Sequence, residues 1–248
     1  MKSALIALAI AAFALPVIGQ ETNEIPQTNE VPRTNILENE MTPEDYIIDH
    51  PEDITVPDGL FPVGKWMLDR NLDPASWLGV KLDHKSLKEP INIIIEMRNF
   101  PSEGKAVTNV VKLLASAGYR IRMGHSGGYF GYLAGRLFVQ IPAFKHHAFS
   151  NEPFEVANNH GRLFGPVFRA GRCFFIGAFS REDVDPVTKH KHIFASFNQA
   201  RDGLARRLDK YTKCRIKAYV SMNNAVIGDN TFTTGDHDGI AVWLSTTD

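Results

Sequence analysis

A histidine and an arginine two positions apart on an extended chain project to the same side, and the run Asn158-Asn159-His160-Gly161-Arg162 offers that pair. The guanidinium suits a carboxylate or phosphate, which it grips through two parallel hydrogen bonds, and the imidazole beside it gives or takes a proton near neutral pH. His190 and His192 repeat the spacing. Two imidazoles on one face make half of a metal site, which the turn Asp236-His237-Asp238 would complete. The ligand types suit a metal but no spacing here is diagnostic of one, so metal and cofactor both stay open at this level. Arg201 adds a second cation. His160, Arg162, His190, His192, Arg201, Asp236 and His237 are therefore the candidate catalytic set, and their convergence in one pocket is the expectation to test. The plainer alternative is that His190 and His192, beside Lys189 and Lys191, are solvated loop residues.

Gly124-His125-Ser126-Gly127-Gly128 matches the G-x-S-x-G turn that lifts a nucleophilic serine, with Asp183 or Asp185 and then His237 following in the order a hydrolase uses. Such a turn leads into a helix, whereas Tyr129-Phe130-Gly131-Tyr132-Leu133-Ala134-Gly135 is aromatic and broken by glycine. A glycine-rich turn is the preferred reading, and a serine hydrolase built on Ser126 ranks third among the functions considered.

The elements that must position these groups are legible in part. Ile91 to Ile95 is dense in β-branched residues and reads as a buried strand. Ser102 can cap a following helix whose Val107, Val110, Val111, Leu114 and Ala117 keep helical spacing until Gly118. Further strands are expected at 136–141, 162–168, 172–179, 215–221 and 239–244, with a hairpin around Ala170-Gly171, and a second helix over 199–211. The outer face of that helix carries Asp202 and Arg206, then Asp209 and Lys213, paired at helical spacing like an ordinary solvated surface. The resulting fold class is α+β: one domain, a mixed or antiparallel sheet, two main helices and a disordered N-terminal leader.

Residues 1–19 combine Lys2, an apolar run from Ala4 to Leu15, Pro16 and the small residue Gly19, the pattern of a cleavable secretory signal. Residues 20–45 follow as a leader, with Thr22-Asn23-Glu24-Ile25-Pro26-Gln27 nearly repeated at 28–33 and too few apolar groups to offset ordering entropy. Residues 46–90 are read as loops and turns wrapping the domain, anchored by Trp66 and Trp77, and 91–248 as the globular domain. No segment approaches the roughly 20 apolar residues of a membrane span, so a secreted or periplasmic location is expected. With 27 basic and 28 acidic side chains the chain has no global field to draw it onto nucleic acid. Cys173 and Cys214 are compatible with a disulfide, or with two buried thiols on neighbouring strands.

From about Ile91 onward the sequence resembles the LssY C-terminal domain family. The resemblance rests on Ala117-Gly118-Tyr119 closing the first helix, the segment 141–150, His160-Gly161-Arg162-Leu163-Phe164, and Gly171-Arg172 leading to Ile176-Gly177-Ala178-Phe179-Ser180-Arg181. It continues through 190–192, Arg201-Asp202 and Asp238-Gly239-Ile240-Ala241-Val242, and covers roughly two-thirds of the chain. The resemblance implies the fold and supports the His160/Arg162 and His190/Arg201 positions, but carries no reaction. Two functions from different classes follow from the residues: hydrolysis of an anionic ester, with Arg162 and Arg201 as charge clamps and a histidine moving the proton, or non-catalytic capture of a small anionic envelope ligand.

Overall fold

The computed structural model describes residues 42–143, 146–188 and 191–247. The expected signal and most of the leader lie outside the described residues, as does His190. In chain order the elements are α1 (Pro43–Asp49), β1 (Ile54–Thr55), β2 (Val63–Gly64), β3 (Ser76–Leu82), β4 (Lys85–Lys88), β5 (Ile93–Arg98) and α2 (Glu103–Ser116). There follow β6 (Arg120–Met123), β7 (Phe130–Leu133), β8 (Arg136–Val139), β9 (His147–Ser150), β10 (Asn158–Arg169), β11 (Arg172–Val184) and β12 (His192–Ser196). The chain closes with α3 (Phe197–Tyr211), β13 (Cys214–Ser221), β14 (Phe232–Thr233) and β15 (Ile240–Thr246). The architecture is the expected α+β type.

One eight-stranded sheet, ordered β13-β15-β5-β11-β10-β9-β6 with β12 also paired to β11, carries the domain. It is antiparallel except where β15 runs parallel to β5. Its backbone is the β10–β11 hairpin, closed by Ala170 and Gly171, both at positive φ (48° and 73°) as a tight two-residue turn demands. The first half of β11 pairs with β5, and its end, from Arg181, pairs with β12.

Both faces of this sheet are covered. On one, α2 and α3 lay Ala106, Val110, Leu114, Ala200, Leu204 and Leu208 against Ile93, Ile95, Phe175, Phe179, Val242 and Leu244. Each helix starts at a serine whose hydroxyl accepts from the third residue's N–H: Ser102 from Lys105 (3.3 Å) and Ser196 from Gln199 (2.8 Å). On the other face, Leu60, Phe61, Val63, Met67 and Ala75 cover Ile94, Phe164, Ile176 and Trp243.

The stretch 46–90 therefore belongs to the packed domain, and the expectation of loops and turns alone fails there. A sheet buried on one side only would leave Ile94, Ile176 and Trp243 in water, so Leu60, Phe61, Val63 of β2, Met67 and Ala75 cover them, while Tyr46 of α1 packs with Trp66, Leu68 and Tyr132, and Trp77 and Leu87 of the β3–β4 hairpin pack with Phe197. That hairpin turns on Asp83 and His84, both at positive φ (50° and 68°), without the Asn-Gly or Asp-Gly signature that marks such turns in sequence. The two tryptophans do anchor the stretch. Trp77 is 1% exposed and donates from Nε1 to Ser180 Oγ (3.2 Å), and Trp66 donates to Asp53. Cys173 and Cys214 are both buried and free, on β11 and β13, with β15 and β5 lying between them. They are not on neighbouring strands as expected.

Candidate functional site

Strand alternation builds the site. In the β10–β11 register Asn158 faces Glu182, His160 faces Ser180 and Arg162 faces Ala178. Directly opposed residues share a face, so Asn158, His160 and Arg162 join Ser180 and Glu182 on the side of the sheet away from the two helices. Gly161 points the other way and must be glycine: a Cβ there would lie 2.3 Å from the Ala178 carbonyl oxygen and 2.4 Å from the Phe179 ring. β12 extends the same face. His192 pairs with Val184 and Phe194 with Glu182, which sets His192 beside the Glu182 carboxylate, Nδ1 to Oε1 3.1 Å. The turn after β6 closes over this face, with Gly124 at φ 98° tight against Phe154, and stacks the His125 ring on His160 at 4.5 Å between centroids.

Four sequence-distant segments thus deliver His125, His160, Glu182 and His192 to one place, with Arg162 on the same strand face. Glu182 is 1% exposed, Arg162 1%, His125 4% and His160 5%. Asn158 ties the group together: its amide donates to Glu182 Oε1 (2.7 Å) and to the Val156 carbonyl (3.0 Å). With that nitrogen spent, its oxygen is the acceptor for His160 Nδ1 (3.1 Å), so His160 carries its proton on Nδ1 and keeps a lone pair on Nε2. Arg162 donates to the Ser126 carbonyl and lies 4.9 Å over the Tyr129 ring. Three side-chain nitrogens here, His125 Nε2, Arg162 Nε and His192 Nδ1, are buried without a hydrogen-bond partner among the described residues, the last being close to Glu182 but not aligned with it.

Burial sets the charges. It lowers the His125 pKa to about 3 and that of His160 well below the usual imidazole range, with Arg162 and the neighbouring histidines pushing the same way, so both rings are neutral. It raises the Glu182 carboxyl, against the pull of Asn158, His192 and Arg162. Glu89, 4% exposed, is raised by burial to about 7 while the Arg162 guanidinium draws it down and Glu182 pushes it up. Arg162 is thus a buried cation whose charge favours the ionised form of the Glu89 and Glu182 carboxyls. A groove of about 320 Å³, lined by Ile121, Arg122, Met123, Pro153, Phe154 and Glu155, lies beside the centre. Phe154 forms its boundary with the centre, stacked on His192 at 4.0 Å and edge-on to His125.

The remaining described candidates do not join this group. Arg201 donates to Asp202 (2.8 Å), Asp238 (2.6 Å) and the Ile240 carbonyl (2.9 Å), and so rivets α3 to the start of β15. Asp236 accepts from Ser196 Oγ and from the Phe197 N–H (2.8 Å), placing a negative charge at the N-terminus of α3. His237 donates from Nε2 to Asn224 Oδ1 (2.8 Å), the amide nitrogen of Asn224 being spent on the Lys65 and Ile91 carbonyls. The single pocket expected for the candidates is therefore corrected for the six that are described: His160, Arg162 and His192 converge, while Arg201 and Asp236 are bound up in bracing and capping α3 and His237 in holding Asn224. Their residue types suggested chemistry that local backbone groups consume. Ser126 sits in a turn leading into β7, a strand, and its hydroxyl accepts from Tyr129 (2.8 Å) rather than from a histidine.

Sequence reasoning missed Glu182, Glu89 and His125 as members. Glu182 was recoverable from the alternation Ala178, Ser180, Glu182 opposite Asn158, His160, Arg162; Glu89 and His125 come from segments with no local pattern pointing at the sheet. Among the described residues no helix is long and apolar enough to cross a membrane. No family model, curated protein or solved structure gives a significant match to this chain.

Proposed function

We propose that this chain is an exported, LssY-like domain that hydrolyses a small anionic ester at the centre of His160, Glu182, His192 and Arg162. The observation that carries this reading is a buried carboxylate, Glu182, approached by two imidazoles at 3.1 and 3.8 Å. A binding module for anions has no use for a second negative group at its heart, whereas activation of water needs an acceptor for the proton. Arg162, with Nε unpartnered, supplies the positive charge that offsets the ester anion and its transition state. His192, on the outer strand β12 against Phe154, stands between Glu182 and the groove and passes the proton outward. Export rests on the signal pattern of residues 1–19.

Chromogenic nitrophenyl esters of phosphate, phosphodiester and sulfate type test the reading on the purified chain. Turnover is expected with at least one class, and His192→Ala should lower it by about 100-fold or more, the usual contribution of a proton-transferring side chain. If folded protein binds the product anions but turns over none of the esters, the chain is the binding module instead. Intact mass of exported protein checks the location, retention of residues 1–19 being the adverse result.

A further inference from the structure

We propose that His125, His160 and Glu182 form a site for one divalent transition-metal ion of the zinc class. Each offers a ligand atom within 4.8 Å of the other two. Three atoms so placed share a point roughly 2.8 Å or less from each, and zinc bonds to imidazole and carboxylate run about 2.0–2.2 Å, so closing the site takes side-chain shifts below about 1 Å. Two imidazoles with one carboxylate are donors of the intermediate softness that this metal class favours. No thiolate competes, because both cysteines lie in the helix-covered core.

Two further features fit a built site better than a chance cluster. First, Asn158 orients two of the ligands at once, holding Glu182 Oε1 and accepting the Nδ1–H of His160. That is the supporting hydrogen bond which fixes the tautomer of a metal-binding histidine. Second, His125 Nε2 is buried with no partner among the described residues, an unfavourable arrangement unless something else satisfies the nitrogen. A metal ion satisfies a lone pair there, and it equally gives the stacked His125 and His160 rings a reason to approach. His192 Nδ1, 3.1 Å from Glu182 but not aligned with it, is not among the three ligands.

The other cluster of ligand-type groups, His50, Glu52 and Asp53, lacks these features. It lies at the surface, and Asp53 is already engaged by the Trp66 indole.

Metal binding does not depend on ester turnover and is read separately from it. Full-length protein is stripped with a chelator, dialysed and titrated with Co²⁺, whose visible absorption reports ligand number, and with Zn²⁺ by calorimetry. One equivalent should bind, and His125→Ala or Glu182→Gln should abolish the spectrum or weaken binding by more than about 100-fold, beyond the loss typical of a merely supporting residue. His50→Ala should leave both titrations unchanged. His125 lies on a turn, so its variant keeps the fold by circular dichroism and decides the matter even if Glu182→Gln unfolds. No binding by folded wild-type protein, or full binding by His125→Ala, overturns the proposal whatever the ester assays give. One-equivalent binding without turnover supports it and overturns the hydrolase reading instead.

Discussion

The two faces of the central sheet are both buried, yet they are stabilised differently. The helix-covered face is apolar almost throughout: Ile93, Ile95, Phe175, Phe179 and Leu163 meet α2 and α3, each with less than 2% of its surface exposed. The opposite face is apolar only where β5 still pairs with β11. Beyond Gly177, where β12 replaces β5, it changes to Asn158, His160, Arg162, Ser180 and Glu182, covered by Trp77 and the 124–129 turn. Burying a hydrocarbon is favourable by roughly 25 cal/mol per Å² with no geometric condition attached. Burying an arginine and two carboxylates is unfavourable unless each meets a partner. That contrast is why the polar half of one face, and not the helix face, is the candidate site.

The sharpest way to break this contrast is to remove the one permanent charge on the polar half. Arg162→Met keeps the volume but leaves Glu89 and Glu182 without their cation, and should cost about 3–5 kcal/mol, the range for stranding a buried partner. At 1% exposure Arg162, read from the sequence as a charge clamp, holds the face together as well. Urea unfolding measures the loss. A change below about 1 kcal/mol, typical of an exposed ion pair, would mean that water reaches the cluster and the contrast is false.

On the helix face the matching experiment is Leu204→Ala. Leu204 is fully buried in the cluster that joins α3 to the sheet. The substitution should cost about 2–5 kcal/mol through lost transfer energy and the cavity left behind. Unlike Arg162→Met, it should leave Co²⁺ binding intact once the folded fraction is accounted for. Equal damage to metal binding by both variants would show that the faces are energetically one unit.

The third test concerns pH and the residues that brace α3. Burial lowers His237 from 6.5 to about 4, with Arg201 acting in the same sense and the two flanking aspartates opposing it. The folded state therefore binds this proton less readily than the unfolded chain does. Stability from this group is complete above pH 6.5 and falls as pH drops towards 4, where the penalty levels off at about 3 kcal/mol from roughly 1.4 kcal/mol per unit. Replacing the ring by His237→Gln, which keeps a donor for Asn224, should flatten the urea midpoint between pH 6.5 and 4.5 relative to wild type. Identical slopes in the two proteins would show that His237 protonates in place.

Legibility in the sequence follows the same division. α2 and α3 were readable because apolar residues recur at helical spacing beside a serine cap, and the β10–β11 hairpin because Ala170-Gly171 interrupts two apolar runs. Each of those signals is local. The polar centre is assembled from Glu89, His125, His160, Glu182 and His192, which no short window contains, so only His160, Arg162 and His192 were visible. The same limit explains the residues wrongly grouped with it. Arg201, Asp236 and His237 have suitable chemistry, but their partners, the α3 terminus, Asp238 and Asn224, appear only when helix and strand are packed together.

The smallest expected effect belongs to Ser126, at the rim of the polar half. Its carbonyl, which accepts from Arg162, is retained on substitution, and Ser126→Ala removes only the hydroxyl that accepts from Tyr129 at 2.8 Å. A neutral hydrogen bond at a half-buried site is worth about 0.5–1.5 kcal/mol, and the Tyr129 hydroxyl can turn to water, so a loss below about 1 kcal/mol is expected. Ester turnover and Co²⁺ binding should both stay within twofold of wild type, because the hydroxyl meets a tyrosine and not an imidazole. The variant is thus the control for the whole centre: it disturbs the covering turn while leaving every charged group in place. Covalent capture of Ser126 by a fluorophosphonate, with turnover lost in Ser126→Ala and kept in His192→Ala, would move the chemistry from the sheet face to the turn and make this a serine hydrolase.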